Sequence, residues 1–261
     1  MRFRPFSASI LAIGLAALTG CGGYGLQFTN STPTTGTIRF INGAPSAASL
    51  DFLLSASAGN ENQIAYGTIS QTLTIGPGTY TITASVTGTS TVFATQTAFV
   101  VAVGQHYTLV ATGTAAAPKF VAFTEPIFET LVNSAAVNYH DASAQSGTVA
   151  IPVGIFDGTK TTQLGTITPG SQTGAIPLSL PVDPTTGLPT VNPNTDQSSI
   201  NIVFFAFAPA RAPFSSHQAD ATDTLDLIPF GGDHNLQLYL IDTPAGSPQP
   251  GQLIGIFDFD A

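Results

Sequence analysis

The amino-acid sequence predicts an all-β protein with two tandem β-units, and three observations lead to that prediction. Charged residues make up only 8% of the 261 residues, while 26 glycines and 19 prolines supply many turns. Apolar and polar residues alternate in several short runs, the pattern of half-buried strands. One of these runs recurs 99 residues further along the chain. Good helix formers are nearly absent from every window of about 12 residues.

Residues 1–20 predict an export signal that ends in a lipidation site. Arg2 and Arg4 give a positive start, and the apolar stretch that follows is too short to span a bilayer. Leu18-Thr19-Gly20-Cys21 resembles the bacterial lipobox, which implies a diacylglycerol on Cys21, cleavage before it and acylation of the new amino terminus. Cys21 is the only cysteine, and an exported chain has reason to avoid a free thiol. An ordinary secreted protein with a chance cysteine is the alternative.

Residues 21–36 predict the lipidated cysteine and a flexible tether, because they are rich in Gly, Thr, Ser and Pro and lack periodicity. After cleavage, four basic residues would remain against 15 acidic ones, a net charge of −11. Binding to nucleic acid requires clustered basic residues, so this class of partner is excluded. An electrostatic attachment to anionic lipid headgroups is excluded for the same reason.

The first unit is predicted over residues 37–130. Its alternating runs cover residues 37–42, 49–55, 71–86, 91–103, 106–113 and 118–125. The run 71–86 is interrupted by Gly76-Pro77-Gly78, which predicts a hairpin. Short strands at this spacing, with Gly and Pro between them, indicate a β-sandwich or a barrel.

The second unit is predicted over residues 135–261 as a divergent copy of the first. Residues 38–54 align with 137–153 at an offset of 99. Pro77-Gly78 matches Pro169-Gly170 at an offset of 92 residues. Gly104-Gln105-His106 matches Gly232-Asp233-His234 at an offset of 128 residues. The boundary between the copies falls near residues 129–135, and because it is short, the units are expected to touch.

The offset between matching residues grows from 92 at Gly170 to 128 at Gly232, which predicts an insertion in the second copy between these residues. We assign it to a long loop around residues 182–199, which are rich in Pro, Asn and Thr. The neighbouring run 200–208 is continuously apolar, and a bare edge strand of this kind would pair with other chains. It is therefore expected to be a central strand, covered on both faces.

Four motifs of the first unit stand in a fixed order. Arg39, Asn42 and Pro45 form Arg-x-x-Asn-x-x-Pro, and Tyr66-Gly67, Gly78-Thr79-Tyr80 and Tyr107-Thr108-Leu109 follow. This order resembles the domain-of-unknown-function 4397 family over residues 37–124, although Asn138 replaces the arginine in the second copy. The resemblance implies an Ig-like fold in an extracytoplasmic protein that is often lipid-anchored or surface-displayed. It implies no catalytic residues.

No catalytic residue, metal site or cofactor is predicted. His140-Asp141 is the most tempting pair, but the first copy has Ile41-Asn42 there, so Asp141 is expected to form an Asx-turn. His106 and His234 are expected at strand starts on a solvated rim. Three carboxylates could gather calcium but lack the spacing of a calcium loop, and a solvated acidic loop is expected. They are Asp220, Asp223 and Asp226.

Three classes of function follow from the sequence. The leading hypothesis is a non-catalytic, lipid-anchored protein of the bacterial cell envelope, at the outer membrane or cell surface, with a structural or binding role and an unknown protein or glycan partner. The second is a carbohydrate-binding or adhesion module that uses exposed tyrosines, drawn from Tyr24, Tyr66, Tyr80, Tyr107, Tyr139 and Tyr239. The third is a hydrolase, which would need a cleft with convergent polar groups. No nucleophile elbow, phosphate loop or dinucleotide fingerprint supports an enzyme.

Overall fold

The structure, a computed structural model, is built from β-strands. It describes residues 33–55, 58–125, 135–144, 150–156, 161–178, 191–192, 197–198, 203–206, 234–244 and 252–258. No α-helix occurs among these residues, so the all-β prediction is confirmed. The export signal, Cys21, the acidic residues Asp220 to Asp226 and most of the predicted insertion lie outside the described residues.

The first repeat is a sandwich of two four-stranded sheets. Its strands are β1 (Gly36–Asn42), β2 (Ser49–Leu54), β3 (Gly59–Ala65), β4 (Leu73–Ile75), β5 (Gly78–Val86), β6 (Val92–Val101), β7 (His106–Thr114) and β8 (Ala117–Glu125). One sheet has the order β4-β1-β7-β8, which we call the inner sheet, and the other has the order β3-β2-β5-β6. Within the inner sheet, β1 and β7 run parallel. Ile38 and Phe40 of β1 are fully buried between the two sheets, where Phe40 stacks on Phe52.

The second repeat has the same plan in the part of the chain described. Its strands are β9 (Ala135–Asp141), β10 (Ile151–Phe156), β11 (Thr161–Ile167), β12 (Ile176–Leu178), β13 (Val191–Asn192), β14 (Gln197–Ser198), β15 (Val203–Ala206), β16 (His234–Ile241) and β17 (Gln252–Asp258). The order β12-β9-β16-β17 forms its inner sheet, with β9 and β16 parallel, and β11-β10-β15 forms a second sheet. Tyr139 links these sheets by donating a hydrogen bond to the Gly154 carbonyl at 2.6 Å.

Backbone hydrogen bonds correct the sequence alignment of the two repeats. Gly67 donates to the Asn42 carbonyl at 2.8 Å, and Gly170 donates to the Asp141 carbonyl at 2.7 Å. Gly67 and Gly170 both have a positive φ, at 74° and 79°. Gly170 is therefore the counterpart of Gly67, and the predicted match of Pro169-Gly170 to Pro77-Gly78 is wrong. Pairs of Gly and Pro recur at too many turns of this chain to fix a register.

The match between His106 and His234 is wrong by one residue. In the parallel ladders, His106 is the register partner of Thr37, whereas His234 is the partner of Ala135. The counterpart of Thr37 is Ala136, whose partner is Asn235. Both histidines do begin their strands, β7 and β16, as predicted. The side chain of His106 is half-buried and lies 2.7 Å from the Thr37 hydroxyl through Nδ1.

The predicted hairpin at Gly76-Pro77-Gly78 is also wrong. β4 pairs with β1 in the inner sheet, whereas β5 pairs with β2 and β6 in the opposite sheet. A two-residue hairpin turn needs positive φ at its central residues, and neither Gly76 nor Gly78 has it. The segment instead carries the chain from one sheet to the other, and Tyr80 holds the bend by donating to the Gly76 carbonyl at 2.8 Å.

The insertion and the apolar run after it are only partly described. β13 and β14 pair with each other in a two-stranded ladder, separate from the four larger sheets. β15, from the apolar run 200–208, pairs with β10 on one side. Among the described residues no strand pairs with its other side, so its central position stays a prediction.

The four larger sheets stack in layers, with the two inner sheets in the middle. A buried apolar cluster lies between the inner sheets and draws on both repeats. Its members are Ile41, Val110, Phe123, Ala142, Tyr239 and Ile241. The repeats therefore pack directly on each other through one face of each inner sheet.

The hairpin between β7 and β8 depends on a glycine, which gives a testable prediction. Gly113 has a φ of 89°, and a Cβ at this position would lie 2.4 Å from the Ala117 carbonyl oxygen. We expect Gly113→Ala to lower the free energy of unfolding by about 2–3 kcal/mol, measured by chemical denaturation. Gly88→Ala is the matched control, since Gly88 has a φ of 74° but nothing within 4 Å of the added carbon. Equal losses in both variants would contradict the steric explanation.

Candidate functional site

The polar side chains of the inner sheets meet at the contact between the repeats, which we call the seam. Alternation along β1 sends Ile38 and Phe40 into the first sandwich and puts Arg39 and Ile41 on the opposite face. The same alternation on the neighbouring strands and in the second repeat supplies the rest of the seam. The seam consists of Arg39, Ile41, Thr108, Val110, Thr112, Phe123 and Glu125 from the first repeat, and Asn138, His140, Ala142, Gln237, Tyr239 and Ile241 from the second.

A buried ion pair forms the centre of the polar contacts. The Arg39 guanidinium donates to Glu125 Oε2 from Nη2 at 2.5 Å and to Thr108 Oγ1 from Nε at 3.0 Å. The side chains of Arg39 and Glu125 are 10% and 3% exposed, so the pair is shielded from water. Glu125 Oε1 accepts hydrogen bonds from the hydroxyls of Thr108 and Tyr239. Because Tyr239 belongs to the second repeat, this carboxylate ties the repeats together.

The network keeps Glu125 ionised. Burial raises the pKa of its carboxyl, but the charge of Arg39 and the hydrogen bonds from Arg39, Thr108 and Tyr239 together outweigh burial and lower that pKa below its ordinary value of 4.5. The reverse holds for the Tyr239 phenol, whose pKa is raised well above 10 by burial and by the nearby carboxylate. Tyr239 is therefore a protonated donor and Glu125 a charged acceptor at neutral pH.

His140 lies beside this network and is fully buried. Its ring stacks on Tyr239, with centroids 4.4 Å apart, and meets the edge of Phe123 at 4.8 Å. Nε2 lies 2.7 Å from Gln237 Oε1. Burial lowers the pKa of His140 from 6.5 to about 4, so the imidazole is neutral at neutral pH. A ring enclosed in this way has no surface on which a substrate could react.

The second repeat's half of the seam is less completely hydrogen-bonded than the first. Among the described residues, three buried polar atoms have no hydrogen-bond partner. They are Asn138 Nδ2, His140 Nδ1 and Gln237 Nε2. An unpaired buried polar group costs about 1–3 kcal/mol, so enclosing these nitrogens offsets part of the stability gained from the apolar contacts of the seam.

A second polar contact joins the repeats at the edge of the seam. The Tyr66 hydroxyl donates to the Asp242 carbonyl at 2.5 Å, and the Thr112 hydroxyl donates to Asp242 Oδ2 at 3.2 Å. The Asp242 carboxylate also accepts from the Ala144 amide at 2.8 Å. Burial, followed by the charge of Asp242, raises the pKa of Tyr66. This contact fixes the loop after β16 against the first repeat.

The predicted site residues fall into different places. Asp141 Oδ1 accepts from the Ser143 amide at 2.9 Å, as Asn42 Oδ1 does from Ala44 at 3.1 Å, so the Asx-turn prediction is confirmed. Tyr139 and Tyr239 are fully buried, and Tyr107 is 9% exposed. Tyr66 and Tyr80 are partly buried, and both hydroxyls are hydrogen-bonded to carbonyls. These five tyrosines do not form an exposed aromatic row, while Tyr24 lies outside the described residues.

Neither a metal cluster nor a membrane-spanning helix occurs in the part of the chain that the structure describes. No group of three or more His, Cys, Asp or Glu side chains is placed there to hold a metal ion. No helix in that part is long and apolar enough to cross a membrane.

Sequence reasoning missed the seam, although one signal of it was present. In β8, Val121, Phe123 and Glu125 alternate onto one face, while Ala122 and Thr124 on the other face are exposed. A carboxylate in register with two apolar residues indicates that the face is covered and that the charge has a partner. The sequence does not say that Arg39 and Tyr239 are the groups it meets, because they lie 86 and 114 residues away.

Comparison with known proteins identifies the first repeat. A family model described as "Domain of unknown function (DUF4397)" matches residues 36–152. Residues 36–152 belong to the DUF4397 family. This confirms the resemblance seen in the sequence motifs, and it extends the DUF4397 region past β9 into the start of β10. No curated protein matches the sequence.

The DUF4397 motif residues have two kinds of position in the structure. Arg39, Tyr66 and Thr108 make polar contacts at the seam. Asn42 instead closes a turn within the first repeat, where its amide donates to the carbonyls of Ala47 and Ile64. Part of the DUF4397 pattern therefore serves contact with the second repeat.

A search of solved structures returned the C-terminally truncated tip fimbrial protein Mfa3 from Porphyromonas gingivalis. The alignment covers 86% of this chain and 98% of that one, with 10% sequence identity and a TM-score of 0.22. A TM-score this low supports no argument about fold or function.

Proposed function

We propose that the protein is a non-catalytic, lipid-anchored component of the bacterial cell envelope, in which two packed β-repeats act as one structural or binding unit. The observation that carries the proposal is the seam. The buried polar groups of the inner sheets contact each other: Glu125 is bound by Arg39, Thr108 and Tyr239. Groups used in this way stabilise an arrangement of repeats and are not exposed to a substrate.

Two features of the sequence support the envelope location. The segment ending in Leu18-Thr19-Gly20-Cys21 has the form of a lipoprotein export signal, and the residues after it have the composition of a flexible tether. Two or three acyl chains on Cys21 would give stable anchorage, since each buried methylene contributes about 0.8 kcal/mol. We place the protein at the outer membrane or the cell surface, with a protein or glycan as its partner. The acidic segment Asp220 to Asp226 and the insertion at 182–199 are the first candidates for its contact surface.

The lipid anchor can be tested with a single substitution. Cys21→Ser removes the thiol that would carry the diacylglycerol, so the variant is expected to lose acyl labelling and to move from the detergent phase to the aqueous phase. A serine substitution at an exposed threonine of the first repeat, Thr95→Ser, is the control and should partition as the unmodified protein does. Unchanged acyl labelling of the Cys21→Ser variant would refute the anchor.

The role as a binding or structural unit needs a different experiment. Residues 21–261, with both repeats intact, can be immobilised and used to capture proteins and glycans from a fractionated cell envelope. Capture of one component by the intact chain, and not by a variant with residues 184–196 deleted, is expected if the insertion forms the contact. Thermal stability of the deletion variant must stay near that of the parent chain. A large loss of stability with unchanged capture would show that the insertion is structural and overturn this assignment.

A further inference from the structure

The two repeats are joined in a way that allows them to separate without damage to either. Each sheet of the described residues draws its strands from one repeat only. Each hydrogen bond described across the seam involves at least one side chain, as in those from Tyr239 to Thr108 and from Thr112 to Asp242. Opening the seam therefore breaks no β-ladder, and each sandwich can keep its own core.

The two faces of the seam are counterparts of each other. Arg39 and Asn138 occupy equivalent positions on β1 and β9, and Thr108 and Gln237 are their respective register partners on β7 and β16. Each repeat thus contacts the other through the same side of the same sheet. This is the relation found between identical subunits in a two-fold dimer.

The chemistry of the seam is that of a protein–protein interface. Its centre is apolar, with Phe123, Tyr239 and Ile241 buried, and its charged group is an arginine paired to a carboxylate. Aromatic residues and arginine are enriched in such interfaces. Polar groups such as Gln237 and Asn138 would also be readily hydrated in an opened chain, which lowers the cost of opening.

We propose that the seam is exchangeable, and that the first repeat can bind the second repeat of another copy of this chain. The product is a domain-swapped dimer in which two chains rebuild two seams. Every seam contact of the monomer recurs in this dimer. The equilibrium between monomer and dimer therefore depends on the protein concentration and on the connection between the repeats. The nine residues 126–134 connect β8 to β9, and a chain of this length spans up to about 30 Å. The proposal does not depend on the lipid anchor, because exchange occurs between the repeats themselves.

Complementation between two damaged chains tests the exchange. Phe123→Ala damages the seam face of the first repeat, and Tyr239→Ala damages that of the second. When the two variants are mixed at high concentration, taken briefly to about pH 4 and returned to neutral pH, a swapped heterodimer has one undamaged seam and one seam that carries both substitutions. Because the rings of Phe123 and Tyr239 contact each other, their two losses overlap in the doubly substituted seam, and the heterodimer is more stable than the two monomers. Light scattering coupled to gel filtration should then show several-fold more dimer in the mixture than in either variant alone.

The control for this experiment is a mixture of Phe123→Ala with Ile41→Ala. Both substitutions lie on the first repeat's face, so every seam in their heterodimer is damaged and no gain is expected. Equal dimer in the two mixtures, or none in either, would overturn the proposal.

A second measurement uses the unmodified chain, in case the variants fold poorly. Two preparations, one labelled with heavy isotopes, are mixed and given the same treatment. Native mass spectrometry should detect dimers of intermediate mass. Recovery of monomers alone would refute the exchange independently of any variant.

Discussion

Removing either member of the Arg39–Glu125 pair is expected to lower the free energy of unfolding by about 3–5 kcal/mol. The magnitude follows from burial, because the guanidinium and carboxylate are 10% and 3% exposed. Arg39→Met leaves the Glu125 carboxylate buried with two hydroxyl donors but no counter-charge. Glu125→Leu leaves a buried cation and removes the acceptor for Thr108 and Tyr239.

The double variant Arg39→Met/Glu125→Leu separates the charge effect from the loss of contact. Replacing both charges by apolar side chains of similar size often leaves stability nearly unchanged. The double variant should therefore lose far less free energy of unfolding than the two single variants do together. Lys119→Met is the matched control, since Lys119 lies exposed on the same strand as Glu125, and it should change stability by less than about 0.5 kcal/mol. The measurement is chemical denaturation at neutral pH. Single-variant losses below about 1 kcal/mol would contradict the role given to the pair.

Much of the first repeat could be predicted from its sequence, because the residues that face its core mostly alternate with polar ones along the strands. β1, β2, β7 and β8 alternate apolar and polar residues, and each was found near its predicted range. β3 was missed because it is an edge strand, where only Ile64 is buried and the remaining residues are mostly polar. Gln63, with a φ of 60°, further interrupts its pattern. Apolar and polar residues alternate along a strand only where one face is buried. A strand with a single buried side chain therefore shows no alternating pattern in its sequence.

The errors of register have a different cause. Matches between short motifs such as Pro-Gly and Gly-x-His depend on residues that turns favour generally, whereas the true correspondence is defined by backbone hydrogen bonds. Gly67 and Gly170 each donate to the last residue of an equivalent strand, β1 or β9, although their sequence neighbours differ. Similarly, whether Gly76-Pro77-Gly78 reverses a strand or connects two sheets depends on its φ angles, and glycine permits both.

The seam could not be predicted because its partners are far apart in sequence. The local signal for Arg39 is a family motif, and the local signal for His140 is its neighbour Asp141, with which it resembles a catalytic pair. Only the stacking of the inner sheets brings Arg39, Glu125 and Tyr239 together and shows that His140 is enclosed. Motif residues that look suited to a ligand site thus have a role between repeats.

Acidification is expected to destabilise the protein in two steps, and His140 accounts for the first. Its pKa is about 4 when folded and near 6.5 when unfolded, so between these values the unfolded chain binds more protons. By linkage, the contribution of His140 to stability is fully present above about pH 6.5 and is lost as the pH drops toward 4. A difference of this size corresponds to about 3 kcal/mol.

Glu125 accounts for the second step. Its folded pKa lies below 4.5, so the stability it contributes is present above that value and is lost as the pH falls through the folded pKa. Both steps therefore act in the same direction, and both act at the seam. A sandwich core of apolar residues, such as Phe40 and Phe52, has no such pH dependence.

His140→Phe isolates the first step, because phenylalanine can keep the stack on Tyr239 and the edge contact with Phe123 but cannot be protonated. Free energies of unfolding measured at intervals from pH 7 to pH 4 should fall for the parent chain and stay nearly flat for this variant over the same range. Phe123→Leu is the matched control, since it alters the packing of the same ring but removes no titratable group, and it should keep the slope of the parent chain. Because the absolute stability of His140→Phe also reflects the lost contact with Gln237, the decisive quantity is the slope and not the value at neutral pH. A slope unchanged by His140→Phe would show that the acid sensitivity of the protein arises elsewhere.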